Sequence, residues 1–232
     1  MRLEHLGVAM VEPRFGLNIG YVARTMKNFG VGRLFIVGRS DVPRSAFRFA
    51  SHGIDVVRSA EYVSLSELRE RFDLLVGTTA ITGESCRNPV RKTVTLDRMA
   101  SLGVDPAQVA IVLGRDTTGL TFDELGACDM VLHVPTGTSY PTLNISHALA
   151  IILYRLGSEE PKGLHRVSRV YMDELLGNFS KMLSLGRYPE HKKRMAVKIF
   201  GQAVVKSNVE QDEVLTLIGV FRKVNLALER RF

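Results

Sequence analysis

The chain has 232 residues, of which 45% are hydrophobic and 24% are charged, a balance typical of a globular protein with a substantial core. A formal net charge of +7 at pH 7 favours a polyanionic partner such as nucleic acid. Membrane-spanning and disulfide-rich classes are excluded, because no apolar run approaches the ~20 residues of a transmembrane helix and the chain has only 2 cysteines.

Short apolar runs alternate with helical patterns over residues 1–157. The runs predict strands at 8–11, 34–37, 74–76, 109–113 and 131–134, with a further short strand at 55–58. The helical patterns lie at 18–29, 64–72, 95–101 and 121–128, followed by an apolar helix that runs to residue 156. Strands separated by helices predict an α/β domain with a mostly parallel sheet covered on both faces.

Residues 158–232 have a different character. A Ser-Glu-Glu-Pro-Lys-Gly linker precedes helical patterns at 166–185, 189–205 and 211–229, without any strand pattern. This region carries 14 Lys/Arg against 9 Asp/Glu, and it includes the basic run Lys192, Lys193 and Arg194. The run is interpreted either as a solvated helix face or as a set of phosphate contacts. We therefore expect a basic helical region that binds RNA or supports a dimer.

Three stretches in the first region carry residue types suited to ligand binding. The first runs from Asn18, a suitable helix N-cap, to Arg24. The second is Leu113–Leu120, whose glycines permit close approach of a ligand to the backbone. The third is Thr142-Leu143-Asn144, at the start of the apolar helix. Each stretch alone also fits an ordinary strand–loop–helix.

Together, N-x-G-x-x-x-R, V-L-G-R-D-x-x-G-L and V-P…x-L-N-I-S-x-A resemble the three ordered motifs of the SPOUT (SpoU–TrmD) RNA methyltransferases. The flanking sequences are most similar to the TrmJ branch, whose members methylate the ribose 2′-oxygen at nucleotide thirty-two of the tRNA anticodon loop, on cytidine or uridine. The resemblance implies a deep trefoil knot in the C-terminal part of the α/β sheet, a homodimer, and S-adenosylmethionine as methyl donor.

The resemblance also assigns roles to individual residues. Arg24, Asn18 and Thr142 are expected to be catalytic, with Arg24 binding the substrate phosphate and Asn144 organising its loop. Arg24, Arg87, Arg115, Lys192, Lys193 and Arg194 are the expected RNA contacts. Position 116 is Asp where many relatives carry Glu. Thirteen residues are expected at the cofactor: Thr78, Thr79, Ala80, Leu113, Gly114, Gly119, Leu120, His133, Val134, Pro141, Thr142, Leu143 and Asn144.

The same motifs leave other interpretations open. The enzyme could act on ribosomal RNA or on another tRNA nucleotide, since fold and motifs do not define the target. A knotted RNA-binding protein without turnover is the non-enzymatic alternative. A Rossmann dehydrogenase is disfavoured, because the first βα turn lacks the glycine fingerprint. The scattered histidines and two thiols predict no metal site, and with no signal-peptide pattern they indicate a cytoplasmic protein.

Overall fold

The computed structural model describes residues 3–81, 93–101, 105–158, 167–207 and 209–230. The chain divides into two compact units, Met1–Gly163 and Leu164–Phe232. Across the described residues, no helix combines the length and apolarity that a membrane span needs.

The first unit is a six-stranded parallel sheet with helices, as the alternating pattern predicts. The strand order is β3-β2-β1-β5-β4-β6, and every pair is parallel. The strands are β1 (Gly7–Val11), β2 (Arg33–Val37), β3 (Glu61–Val63), β4 (Leu74–Thr79), β5 (Val109–Leu113) and β6 (Met130–His133). The helices are α1 (Gly16–Asn28), α2 (Ser45–Ala50), α3 (Ile54–Arg58), α4 (Leu65–Arg71), α5 (Leu96–Ser101), α6 (Phe122–Ala127) and α7 (Ile145–Gly157).

The sheet core is buried on both faces. Strand β1 is buried at all five positions, and so is β5, which pairs with it. One face packs around the edge-to-face pair Phe35 and Phe72, which lies within a large apolar cluster. After β1 the chain adds β2 and β3 on one side of the sheet, whereas β4 and β6 lie on the other side, beyond β5. The direction in which strands are added therefore reverses between β1 and β5. Ligands of open parallel sheets bind at the carboxyl ends of strands at such a point.

Two predictions about local structure were wrong. The predicted strand at 55–58 is helix α3, and the strand that pairs with β2 follows at β3. Asn18 is not the N-cap of α1, because the helix begins two residues earlier, after Phe15. Asn18 is consequently the third residue of the helix and is buried, with 8% exposure.

Other helix boundaries follow the chemistry of the sequence. Ser64 and Thr121 each form a reciprocal capping box, with Glu67 and Glu124 respectively, so the backbone N–H groups at these helix starts are satisfied. Gly30 follows the end of α1 with φ +72°, a conformation that favours glycine.

The described part of the second unit consists of α8 (Arg169–Leu185), α9 (Glu190–Lys206) and α10 (Gln211–Glu229). Helix α8 packs against both of the others. The core of this unit includes three neighbouring aromatic rings. Phe179 stacks on Phe200 with 4.4 Å between ring centroids, and Phe221 lies against both. The α-helical prediction for this region is confirmed.

Candidate functional site

A cavity of about 230 Å³ opens where β4, β5 and β6 end. Eleven of the thirteen residues expected at the cofactor line it, from three separate loops. These eleven are Thr78, Thr79, Ala80, Leu113, Gly114, Gly119, Leu120, Val134, Pro141, Thr142 and Leu143. The loops that follow β4, β5 and β6 are separate in sequence but form the walls of one cavity, at the edge of the sheet where ligands of this architecture bind.

The other two expected residues, His133 and Asn144, do not line the cavity. The Nδ1 atom of His133 lies 3.1 Å from the carbonyl oxygen of Thr79, joining the ends of β6 and β4. Asn144 is the N-cap of α7, and its Oδ1 accepts a hydrogen bond from the Ser146 N–H at 2.9 Å. Both residues thus hold the loops in place without lining the cavity.

Sequence reasoning missed the apolar floor of the cavity. Ile145, Ala148 and Ile152 of α7 line it together with Leu125 and Leu132. The first three recur at helical spacing and lie on one face of α7, which was a usable signal. An apolar floor beneath polar loops is typical of sites that hold a small organic ligand.

The loop 114–120 is closed on itself and leaves donors for a ligand. Arg115 and Gly119 exchange backbone hydrogen bonds of 3.2 and 3.1 Å. A Cβ on Gly114 would lie 2.3 Å from the carbonyl carbon of Gly119, so only glycine fits. Within the described residues, the backbone N–H groups of Thr117 and Thr118 have no hydrogen-bond partner. Backbone groups in this state are available to a ligand or to water.

Arg115 lines the cavity and is partly buried, and two carboxylates hold its guanidinium group. Its Nη1 and Nη2 atoms donate to Glu124 at 2.8 and 2.9 Å, while Nε and Nη2 contact Glu12 at 3.0 and 2.9 Å. These hydrogen bonds, from Glu124 first and then Glu12, raise the pKa of Arg115. Burial raises the pKa of Glu124, but the hydrogen bonds from Arg115 and Thr121 outweigh it and leave that pKa below its ordinary value.

An RNA contact at Arg115 stays a prediction, and the guanidinium that it concerns is already paired within the chain. The guanidinium donates four hydrogen bonds, to Glu12, to both oxygens of Glu124 and to the Gly119 carbonyl oxygen 3.5 Å away, and its Nη2 also forms an ion pair with Glu12. A phosphate would have to displace a carboxylate to bind there. Arg115 instead fixes the loop 114–120 against the end of β1.

A chain of hydrogen bonds joins the three motif stretches. The Asp116 carboxylate accepts from the backbone N–H groups of Arg14 and Phe15 at 2.8 and 3.1 Å, and from Asn18 Nδ2 at 2.6 Å. Asn18 Oδ1 in turn accepts from Asn144 Nδ2 at 3.0 Å. Both ends of the Asn18 amide are therefore occupied by partners within the chain, and a catalytic role for Asn18 stays a prediction.

The remaining expected residues lie elsewhere on the molecule. Arg24 lies on the exposed side of α1 and does not line the cavity, and its side chain has no partner among the residues that the structure describes. Arg87 lies outside the described residues. In α9, Lys193 Nζ contacts Glu190 at 2.8 Å and Ser184 at 3.0 Å, whereas Lys192 and Arg194 are exposed.

The site offers backbone donors, hydroxyl groups and an apolar floor. Over the described ranges there is no group of three or more His, Cys, Asp or Glu side chains that could hold a metal. Such a surface suits a small organic ligand with an apolar part and polar groups.

Comparison with known proteins identifies the family. Residues 5–154, more than half of the chain, match the SpoU rRNA Methylase family. The chain belongs to this family. Its SpoU domain therefore comprises the whole sheet and nearly all of α7.

Relatives and solved structures extend the similarity beyond that domain. The chain is 29% identical to a tRNA (cytidine-2'-O-)-methyltransferase TrmJ from Methanocaldococcus jannaschii, over 94% of this chain and 98% of the relative. It is 33% identical to a tRNA (cytidine/uridine-2'-O-)-methyltransferase TrmJ from Pectobacterium atrosepticum, over 66% of this chain and 64% of the relative.

Two crystal structures share the fold. TrmJ from Z. mobilis ZM4 has a TM-score of 0.70 at 21% identity, covering 94% of this chain and 98% of that one. An AdoMet-bound rRNA methyltransferase from Sinorhizobium meliloti has a TM-score of 0.53 at 18% identity, covering 66% of this chain and 55% of that one.

Proposed function

We propose that this protein transfers a methyl group from S-adenosylmethionine to the ribose 2′-oxygen of cytidine or uridine at nucleotide thirty-two of a tRNA anticodon loop. The observation that carries the proposal is a cavity lined by two SpoU motif stretches, which Asn18 of the third stretch joins by hydrogen bonds, in a chain related to TrmJ over nearly its full length. The tRNA substrate makes the cytoplasm the proposed place of action.

The residues present fit S-adenosylmethionine. Thr78–Ala80, Leu113–Leu120 and Pro141–Leu143 would hold it, with the α7 side chains beneath. The backbone N–H groups of Thr117 and Thr118, which have no partner among the residues described, would be available to its polar groups. Glycine at position 114 keeps the loop narrow enough for the backbone to approach a ligand. When bound, S-adenosylmethionine supplies an electrophilic methyl group on its sulfonium sulfur, and S-adenosylhomocysteine is the leaving group.

Arg24 is proposed to act on the RNA. Its guanidinium is exposed and has no partner among the described residues, so its donors are available to a phosphate. Arginine is a poor base in proteins, which favours electrostatic work over proton abstraction. We propose that Arg24 binds the phosphate beside the target ribose and stabilises the negative charge that develops on the 2′-oxygen. Thr142, exposed at the cavity rim, would hydrogen-bond substrate or cofactor.

A homodimer is proposed to complete this site, since Arg24 lies outside the cavity of its own chain. Leu17, Tyr21 and Arg24 follow one another at helical spacing along the exposed side of α1. Helix α7, which packs on α1, exposes Ile151 at 40% and Tyr154 at 68%. Large apolar side chains in such stripes are typical of interfaces. A second copy covering them would bring its own Arg24 to the shared surface.

The path of the chain after β6 supports the proposed trefoil knot. β6 is an edge strand, whereas α7 packs on α1, the helix that follows β1 three strands away. Residues 134–144 must therefore cross the carboxyl ends of β4 and β5, beside the loops that line the cavity. A crossing of this kind is what a knot in this part of the sheet requires.

The second unit is proposed to bind tRNA. Lys192 and Arg194 are exposed at the start of α9 and have no ion-pair partner within the described part of the chain, while Lys193 is paired with Glu190. Cations in this state contact phosphates without reading sequence. The alternative is that this unit supports the dimer. The salt dependence of tRNA binding would distinguish the two roles.

The test is transfer of tritium from labelled S-adenosylmethionine to total tRNA, followed by nuclease mapping of the product. The proposal expects a 2′-O-methyl group at nucleotide thirty-two and its loss in Arg24→Ala. Arg24→Lys should also be slow, because it keeps the charge but loses the bidentate geometry. Methylation of another RNA would refute the substrate, and cofactor binding without transfer to any RNA would refute the enzymatic proposal.

A further inference from the structure

Asn18 connects two walls of the cavity although it does not line the cavity itself. Asp116 belongs to the loop after β5, and Asn144 ends the loop that carries Pro141, Thr142 and Leu143. Asn18 lies buried between them and hydrogen-bonds both, at 2.6 Å and 3.0 Å. The separation of the two walls is therefore defined by a side chain on α1.

Each hydrogen bond in this chain has a fixed direction, because both ends are fixed. At one end, the Asp116 carboxylate can only accept, and three N–H groups point at it. At the other end, the Ser146 backbone N–H can only donate, to Asn144 Oδ1. The two asparagine amides between these ends must consequently both orient with Nδ2 towards Asp116 and Oδ1 towards Ser146.

We propose that Asp116 is a positioning residue for the cofactor cavity. It sets the orientation of Asn18 and, through Asn18, that of Asn144 and the loop 141–144. The same carboxylate accepts the N–H groups of Arg14 and Phe15 at the start of α1, where no side chain of the helix itself provides a cap. This inference rests on the proposed cofactor function and adds a role for Asp116 and Asn18 that does not involve contact with the reacting atoms.

The substitution Asp116→Asn makes the direction of the chain inconsistent. If the oxygen of the new amide accepts from Arg14 and Phe15, its nitrogen faces Asn18 Nδ2, and two donors oppose each other. Turning the Asn18 amide moves the conflict to Asn144, and turning Asn144 moves it to the Ser146 N–H, which cannot turn. One unsatisfied pair therefore persists in every arrangement.

The exchange of the two side chains removes the conflict. In the double variant Asp116→Asn with Asn18→Asp, the amide oxygen at position 116 accepts from Arg14 and Phe15, and the amide nitrogen donates to the carboxylate at position 18. That carboxylate also accepts from Asn144 Nδ2, so every donor again faces an acceptor. Asn18→Asp alone instead places two carboxylates 2.6 Å apart at the Asn18–Asp116 contact.

The experiment is calorimetric titration of S-adenosylhomocysteine into the wild-type chain, both single variants and the double variant, well below their melting temperatures. The expected result is a dissociation constant weakened about 10- to 100-fold in each single variant and restored to within about threefold in the exchange. Asp55→Asn is the matched control. It also removes a carboxylate that contacts α1, but this carboxylate is paired with Lys27, so the variant should bind as wild type.

The outcomes separate the possible roles. An exchange variant that folds yet stays weak would show direct contact between the Asp116 carboxylate and the cofactor, and it would overturn the positioning role. Lowered melting temperature with unchanged affinity in Asp116→Asn would overturn it too, because the role would be structural only. If Asp116→Asn does not fold, the affinity of the exchange variant decides alone. Absence of binding by the wild-type chain would overturn the proposed function as well.

Discussion

Gly114→Ala should weaken cofactor binding more than any other single methyl addition at the cavity wall. The new Cβ would lie 2.3 Å from the Gly119 carbonyl carbon and the Leu120 nitrogen, well inside ordinary contact distance. Both atoms are backbone, so relief requires the loop 114–120 to open against the paired hydrogen bonds between Arg115 and Gly119. Overpacking of this kind costs about 1–3 kcal/mol. If the strain is relieved by loop arrangements that cannot bind the ligand, this cost corresponds to about a 5- to 150-fold rise in the dissociation constant.

The assay is calorimetric titration of S-adenosylhomocysteine into the folded variant. Gly177→Ala is the matched control, because an added Cβ there meets no atom within 4 Å and the glycine lies inside α8. We expect the control to bind as wild type and to gain about 1 kcal/mol of stability from helix propensity. Wild-type affinity in Gly114→Ala would refute the inference that the narrow loop is required for binding.

Contacts at three other places in the structure can be tested in the same way. Glu124→Gln should lower the free energy of unfolding by about 1–3 kcal/mol near neutral pH, because Arg115 loses a charged acceptor. The pKa of Glu124 in the folded state lies below its ordinary value of 4.5, so the stability difference between wild type and variant should be constant above pH 4.5 and disappear as the pH falls through the folded pKa. Denaturant unfolding at several pH values measures this difference, and a difference that grows on acidification would contradict the prediction. The double variant Lys192→Gln, Arg194→Gln should bind tRNA with a weaker salt dependence. If both cations contact single-stranded phosphates, the slope of log affinity against log salt concentration should fall by about 1.4 in magnitude. Lys181→Gln, whose cation is paired with Glu229, should leave the slope unchanged. Ile151→Asp should dissociate the proposed dimer in sedimentation experiments, whereas Tyr62→Asp on the edge strand β3, 45% exposed in the wild type, should not; a stable dimer in Ile151→Asp would place the interface elsewhere.

The sheet could be predicted from sequence because its signal is local. Each buried strand is a short apolar run, and the run that forms β5 predicts its bounds correctly, Val109–Leu113. Helix α4 was predictable because Ser64 and Glu67 form a capping box within four residues. The strand prediction at 55–58 fails because Ile-Asp-Val-Val-Arg is apolar enough for either state, and its packing beneath α1 decides for helix.

The roles of single residues were harder to predict because they depend on contacts distant in sequence. The residue type of Asn18 predicts a helix cap, yet its partners are Asp116 and Asn144, 98 and 126 residues away. The sequence around Arg115 predicts an exposed cation, since nothing near it indicates Glu12. The presence of the three motifs in the family's order was the only indication that these stretches meet. It could not indicate which side chains form hydrogen bonds with one another.

Arg115 and Asp116 together explain why the loop after β5 can combine an open ligand face with a defined shape. As neighbours in sequence, they direct opposite charges to different partners: Arg115 to Glu12 and Glu124, Asp116 to the start of α1. The loop is thereby fixed through side chains in addition to the backbone hydrogen bonds between Arg115 and Gly119, and the backbone N–H groups of Thr117 and Thr118 have no partner among the described residues. Fixation by side chains at the point where the sheet reverses direction is therefore what permits recognition of a ligand through the backbone.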